Sequence, residues 1–100
     1  MENKNLKRAI EVCKNMFLDY SGLQADLKIV YEDEYETDIF TMDLYFQDFG
    51  ISGVEINFNE CTVIIEDDDT TYTLGEFNKE TLEFERSDSF FEALFLNIIY

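Results

Sequence analysis

The spacing of apolar residues changes period twice along this chain, and that change constrains the fold more than any other feature. Over residues 4–20, Leu6, Ile10, Cys13, Met16, Phe17 and Tyr20 recur at intervals of three and four, with Ala9 joining them. This is the stripe of an amphipathic helix. Ser21-Gly22 follows as the expected stop, with Gly22 as a left-handed cap. From there the period falls to two. In DLKIVY (26–31), Leu27, Ile29 and Tyr31 share one face. In DIFTMDLYF (38–46), Phe40, Met42, Leu44 and Phe46 share one face, and Thr41, Asp43 and Tyr45 the other. VEINF (54–58), CTVIIE (61–66), TYTLGEF (71–77) and TLEFE (81–85) continue as strands, with a turn at Asn59-Glu60 and another at 78–80. DFGISG (48–53) reads as a loop.

The helical period returns at the end. Ser89 and Glu92 have the spacing of a capping box, and Phe91, Leu94, Phe95 and Ile98 form a stripe behind it. Phe90, Leu96, Ile99 and Tyr100 are apolar as well, so this helix is expected to be covered on more than one side. The reading is an α+β single domain spanning 1–100: an N-terminal helix, an antiparallel sheet of about five strands, and a C-terminal helix packed on the sheet.

Charge is the second constraint. The 100 residues hold 23 acids and 7 bases, a net charge of −16, yet 46% are hydrophobic, including ten Phe and six Tyr. The apolar content is enough for a packed core and too high for a disordered chain. Lys4, Lys7, Arg8 and Lys14 are gathered in residues 1–14, leaving Lys28, Lys79 and Arg86 for all that follows. Such a surface repels nucleic acid and anionic membranes and attracts basic proteins.

Much of the charge lies in two knots. YEDEYETD (31–38) contributes Glu32, Asp33, Glu34, Glu36 and Asp38; IIEDDDT (64–70) contributes Glu66, Asp67, Asp68 and Asp69. If the strand continues into the first knot, Glu32, Glu34, Glu36 and Asp38 alternate onto one face. A rise of about 3.3 Å per residue then spaces them roughly 6.6 Å apart. Nucleic acid also presents a regular row of anions, which its binders meet with Lys and Arg. Tyr31, Tyr35, Tyr45 and Tyr72 lie near enough to add aromatic contacts.

Catalytic equipment is sparse. Without histidine there is no Ser–His–Asp triad, no Cys–His nucleophile and no imidazole metal ligand. No GK[ST] phosphate loop occurs, and EDDDTTYTLGE lacks the ligand spacing and glycine position of a calcium loop. Neither an enzyme, a cofactor nor a metal site is expected. Cys13 and Cys61 are too few for a disulfide framework and read as free thiols, although one bridge between them stays open. Met1 to Lys14 is polar rather than an apolar signal core, and no stretch is long enough to span a membrane, so the expected compartment is the cytoplasm.

A small, acidic, cysteine-poor α+β chain with acids crowded on strand ends and turns resembles the DNA-mimic inhibitors of phages and mobile elements, anti-CRISPR proteins in particular. The resemblance spans composition and element order over the whole chain and rests on no diagnostic motif. It implies an inhibitor that occupies the basic nucleic-acid-binding groove of a target, a CRISPR effector nuclease among the candidates, without binding nucleic acid or membrane itself. An immunity protein against a nuclease toxin fits the same acidity. A third alternative is an assembly protein that forms a homodimer through residues 90–100.

Overall fold

The structure is a computed structural model that describes residues 4–35, 38–67 and 69–99, without the side chains of 33–35, 67 and 99. Helix α1 runs Lys4–Asn15 and a short α2 runs Ser21–Asp26. The strands follow in order: β1 Lys28–Tyr35, β2 Ile39–Tyr45, β3 Gly50–Asn57, β4 Thr62–Asp67, β5 Thr70–Phe77 and β6 Phe84–Arg86. Helix α3 is Phe90–Leu96, and β7 is Ile98–Ile99. The sheet is an antiparallel meander in the order β1-β2-β3-β4-β5-β6, so the expected α+β architecture holds with six strands rather than about five.

Alternation explains the layering. The even residues of β2 (Phe40, Met42, Leu44) join Ile51, Val54, Ile56, Val63, Ile65 and Leu74 in one core. Ala9, Val12, Cys13, Met16 and Phe17 from the first helical segment close it, together with Phe90, Ala93 and Leu94 of α3. The helices therefore cover one side of the sheet. Ile39 and Ile64, on the opposite phase, are half-buried and lie outside that core. Both cysteines are free. Burial pushes the Cys13 thiol up to about 12, which leaves it a small inert hydrophobe, while Cys61 is half-buried.

Four local expectations are corrected. Gly22 is no left-handed cap; it lies inside α2, and Gly53 is the glycine with positive φ among the described residues. The first helix ends earlier because Tyr20 and Phe17 close a tight turn (N···O 2.9 Å), after which Gln24 N–H donates to Tyr20 C=O and a second helix starts. The Ser89–Glu92 capping box does not form. Ser89 sits at φ −93°, ψ 6°, close to helical rather than extended, and its side chain makes no capping hydrogen bond. The C-terminal helix also stops short. Asn97 donates from Nδ2 to Ala93 C=O (2.8 Å), and the β-branched pair Ile98-Ile99 then adds to the sheet opposite Ile51 and Gly50. That pairing, with the one to β2, recruits residues 50–53 from the expected loop into β3.

Two hairpins share a turn chemistry. Asn57 Oδ1 accepts from the N–H groups of Asn59 and Glu60, and Asn78 Oδ1 accepts from those of Glu80 and Thr81. Each turn ends on a left-handed residue four positions after its Asn, Cys61 (φ 59°) and Leu82 (φ 65°). The Asn side chain replaces backbone partners and lets these non-glycine residues complete the reversal.

Candidate functional site: the open face of the sheet

Strand register decides which side chains meet on the side without helices. Thr41 pairs with Glu55, Glu55 with Ile64, and Ile64 with Thr73, forming one row across β2 to β5. A second row runs Ile39, Asn57, Thr62, Glu76, Glu85. Glu66 pairs with Thr71 in the same phase, and Asp43 occupies it on β2. The open face thus carries Glu32, Asp43, Glu55, Glu66, Glu76 and Glu85, set among Thr side chains and the half-buried Ile39 and Ile64. Lys28, opposite Tyr45 at one corner, is the base in this phase. The other described bases lie elsewhere: Lys4, Lys7, Arg8 and Lys14 on α1, Lys79 in the β5–β6 turn, and Arg86 on the core side of β6. Both arginines are committed to structure. Arg8 lies over the Phe58 ring (5.3 Å) and donates to Asn5 and to the Lys79 carbonyl. Arg86 donates to Met16 C=O (3.0 Å) and pairs with Asp19 (3.2 Å).

The acids of the open face interact with one another. Glu32 shares a hydrogen bond with Asp43; that bond, and then repulsion from the Asp43 charge, raise the Glu32 carboxyl above its ordinary value. Asp43 also accepts from Gly53 N–H (3.0 Å) and, at longer range, from the Tyr45 hydroxyl (3.5 Å). Repulsion from Asp43, foremost, raises the Tyr45 phenol. Glu55 is raised by burial first, then by Glu66 and Glu60. A backbone irregularity assists this crowding: Ser52 and Gly53 stand opposite Asp43 where the β2–β3 register shifts, and Gly53 takes φ 70°.

The raised carboxyls have a consequence for stability. Where an acid's folded value exceeds its unfolded one, the folded state holds protons more tightly, so stability falls as pH rises through the folded value. Glu32 and Glu55 act in this direction. The melting temperature should therefore be higher at about pH 5 than at neutrality. Glu55→Gln should raise the neutral-pH melting temperature and flatten the slope. A wild-type protein that melts lower at the acidic end of this window would contradict the reading.

The two sequence knots fare differently from expectation. Strand β1 does extend into the first, as far as Tyr35, but its register shifts between Tyr31 and Asp33. Glu32 is the extra residue, and Asp33 pairs with Thr41 while Glu34 pairs with Phe40. The two-residue alternation expected to align Glu32 with Glu34 is thereby broken. Asp38 is tied back to α1, accepting from Asn5 Nδ2 at 2.6 Å. Glu66 ends up on the open face, Asp67 closes β4 opposite Thr70, and Asp69 is exposed in the turn. Glu36 and Asp68 lie outside the described residues. The β1–β2 turn shares an end of the sheet with the 58–61 and 78–83 turns, whereas the β4–β5 turn lies at the opposite end. The knots are thus not one patch. What links Glu32 to Glu66 is the strand surface through Asp43 and Glu55. Sequence reasoning passed over Asp43, Glu55, Glu76 and Glu85 as site residues because it followed density along the chain. For Asp43, Glu55 and Glu85 the signal was phase, each at a polar position of an alternating strand; Glu76 shares parity with the buried Leu74 and reaches this face only because the register shifts at Leu74.

No helix among the described residues is long and apolar enough to cross a membrane. Comparison of the chain with protein-family models, with curated proteins and with solved structures gave no match.

Proposed function

We propose that this protein is an acidic inhibitor that lays its open sheet face into the basic nucleic-acid-binding groove of a target protein, in the manner of a DNA-mimic anti-CRISPR protein, and so blocks DNA binding by a CRISPR nuclease. One observation carries the reading. Glu32, Asp43, Glu55, Glu66, Glu76 and Glu85 share a helix-free face, and the bases other than Lys28 lie in other parts of the fold. A sheet is a rigid platform, so the acids are held apart against their mutual repulsion before any partner arrives. Arginine and lysine side chains placed to grip phosphates would relieve that repulsion on docking. The mechanism is competition, with no bond made or broken in the target.

The test measures target-DNA binding by guide-loaded CRISPR nucleases, and by a nuclease toxin, with increasing amounts of this protein. Wild type should displace DNA from a nuclease in this panel, with steep weakening as salt rises. The double variant Glu55→Lys/Glu66→Lys should lose about tenfold or more in potency. Glu11→Lys/Asp26→Lys, which changes exposed charge on the helices by the same amount, should retain it. Equal loss in both variants would reduce the effect to net charge and overturn the role of the open face. Displacement confined to the toxin would turn the reading to immunity.

A further inference from the structure

The helix-bearing side of the molecule carries a second surface of opposite character. In α3, Phe90, Ala93 and Leu94 are buried, but Phe91 remains 43% exposed, Phe95 71% and Leu96 57%. Leu18 (63%) and Tyr20 (41%) continue the apolar surface from the segment after α1. The Tyr20 and Phe91 rings meet edge to face at 5.9 Å and join the two elements. Beside them is an apolar dimple of about 90 Å³, with Phe17, Leu23 and Ile51 among its deeper walls and Tyr20, Phe91 and Phe95 exposed around it. The rim is braced. The Arg86 guanidinium lies 5.1 Å from the Tyr20 ring and 5.7 Å from that of Phe91, and is itself fixed by Met16 C=O and Asp19. A partner would meet a surface already ordered, which lowers the entropy lost on binding.

We propose that this surface docks a short cationic amphipathic segment of another protein, one apolar side chain entering the dimple and flanking Lys or Arg reaching the acidic surround. Two arguments select this occupant. The first is size. Aromatic side chains present roughly 150–250 Å² each when fully exposed, so the patch amounts to a few hundred Å². A stable dimer covers about 800 Å² per partner, whereas a helix in a groove needs only a few anchors. The second is charge. Asp88 and Glu92 are exposed and flank Phe90 and Phe91 in sequence, while Asp19, exposed beside Tyr20, is shared with Arg86. In a two-fold dimer these acids would meet their own kind, on chains of net charge −16. A basic segment meets them with complementary charge. This surface does not depend on the open face, and either can fail alone.

The probe is a fluorescent model peptide of leucine and lysine in an amphipathic helical pattern, titrated with the intact protein and read by anisotropy. A scrambled peptide of the same composition controls for bulk charge. The patterned peptide should bind and the scrambled one should bind at least about tenfold more weakly. Phe95→Ser should weaken binding by about tenfold with an unchanged melting temperature, because that side chain is mostly exposed. Phe91→Ser should act in the same direction, and Glu55→Lys/Glu66→Lys should leave peptide binding intact. Equal binding of the two peptides, or of Phe95→Ser and wild type, overturns the proposal. Loss of binding in the open-face variant overturns it too, by moving the contact to the other side. A doubled molar mass in light scattering that Phe95→Ser abolishes would assign the surface to a second copy.

Discussion

Phe58→Ala should remove about 3–5 kcal/mol of stability, the largest loss expected from any single truncation in this fold. The ring is fully buried and joins three parts of the structure. It packs edge to face on Phe40 of β2 (6.0 Å) and on Phe77 of β5 (5.1 Å), with Arg8 of α1 over it. Its N–H also donates to Asp38 C=O, pinning the β3–β4 turn beside the β1–β2 turn. Alanine keeps that backbone bond and removes every ring contact. A domain of this size holds about 5–15 kcal/mol in total, so the variant would be marginal at ambient temperature. Urea unfolding followed by circular dichroism measures the effect. Phe58→Leu, which keeps much of the volume, should lose less than the alanine variant. A loss below about 1 kcal/mol for Phe58→Ala would mean that the three elements do not depend on this ring.

Gly75→Ala tests the pairing of β5 with β6 and has a sign that separates explanations. In an ordinary strand, replacing glycine by alanine stabilises by roughly 0.5–1 kcal/mol. At this position the new Cβ would collide with the Glu85 carbonyl oxygen and come within 2.6 Å of Phe84 Cζ. The obstruction includes backbone, so β6 must move away from β5, and Arg86, paired with Gly75, must move with it. The expected result is a loss of about 2–3 kcal/mol. Native-state hydrogen exchange should show the Gly75–Phe77 and Phe84–Arg86 amides opening before the rest of the sheet. Since Arg86 braces Tyr20 and Phe91, the same variant should loosen the aromatic rim. A stabilised Gly75→Ala protein would show that β6 can yield without cost.

Different parts of the structure were legible for different reasons. Leu6, Ile10 and Cys13 gave away α1, and Phe40, Met42 and Leu44 gave away β2, because burial on one side imposes a period that only one backbone geometry can satisfy. Element ends were harder. Gly22 carried a good local signal for a stop that the backbone did not use, whereas Ser89 does stand at the start of the last helix but without the side-chain bond of a capping box. In both places longer-range packing set the outcome: Phe17 against Phe46 and Phe90 at one, and Phe90 and Leu94 in the core at the other. Residues 50–53 read as a loop because their partners, β2 and β7, come from before and well after them in sequence.

By itself, the sequence determined the order of the main elements, α2 and β7 apart, together with the one-sided burial of the sheet and the excess of acid. Each of these follows from residue type and period, which are local properties. Only the tertiary structure decided which acids are neighbours. Density along the chain pointed to two turns, and these lie at opposite ends of the sheet. Register instead brings Asp43, Glu55 and Glu66 onto the surface between them, with Glu32 bonded to Asp43. Shifts of pairing at Glu32, at Ser52-Gly53 and at Leu74 tune that arrangement. Neighbours across a sheet are fixed by pairing between distant segments, so no count along one strand can supply them. The same holds for α3: its composition called for cover on more than one side, and only packing decided that Phe91, Phe95 and Leu96 stay bare.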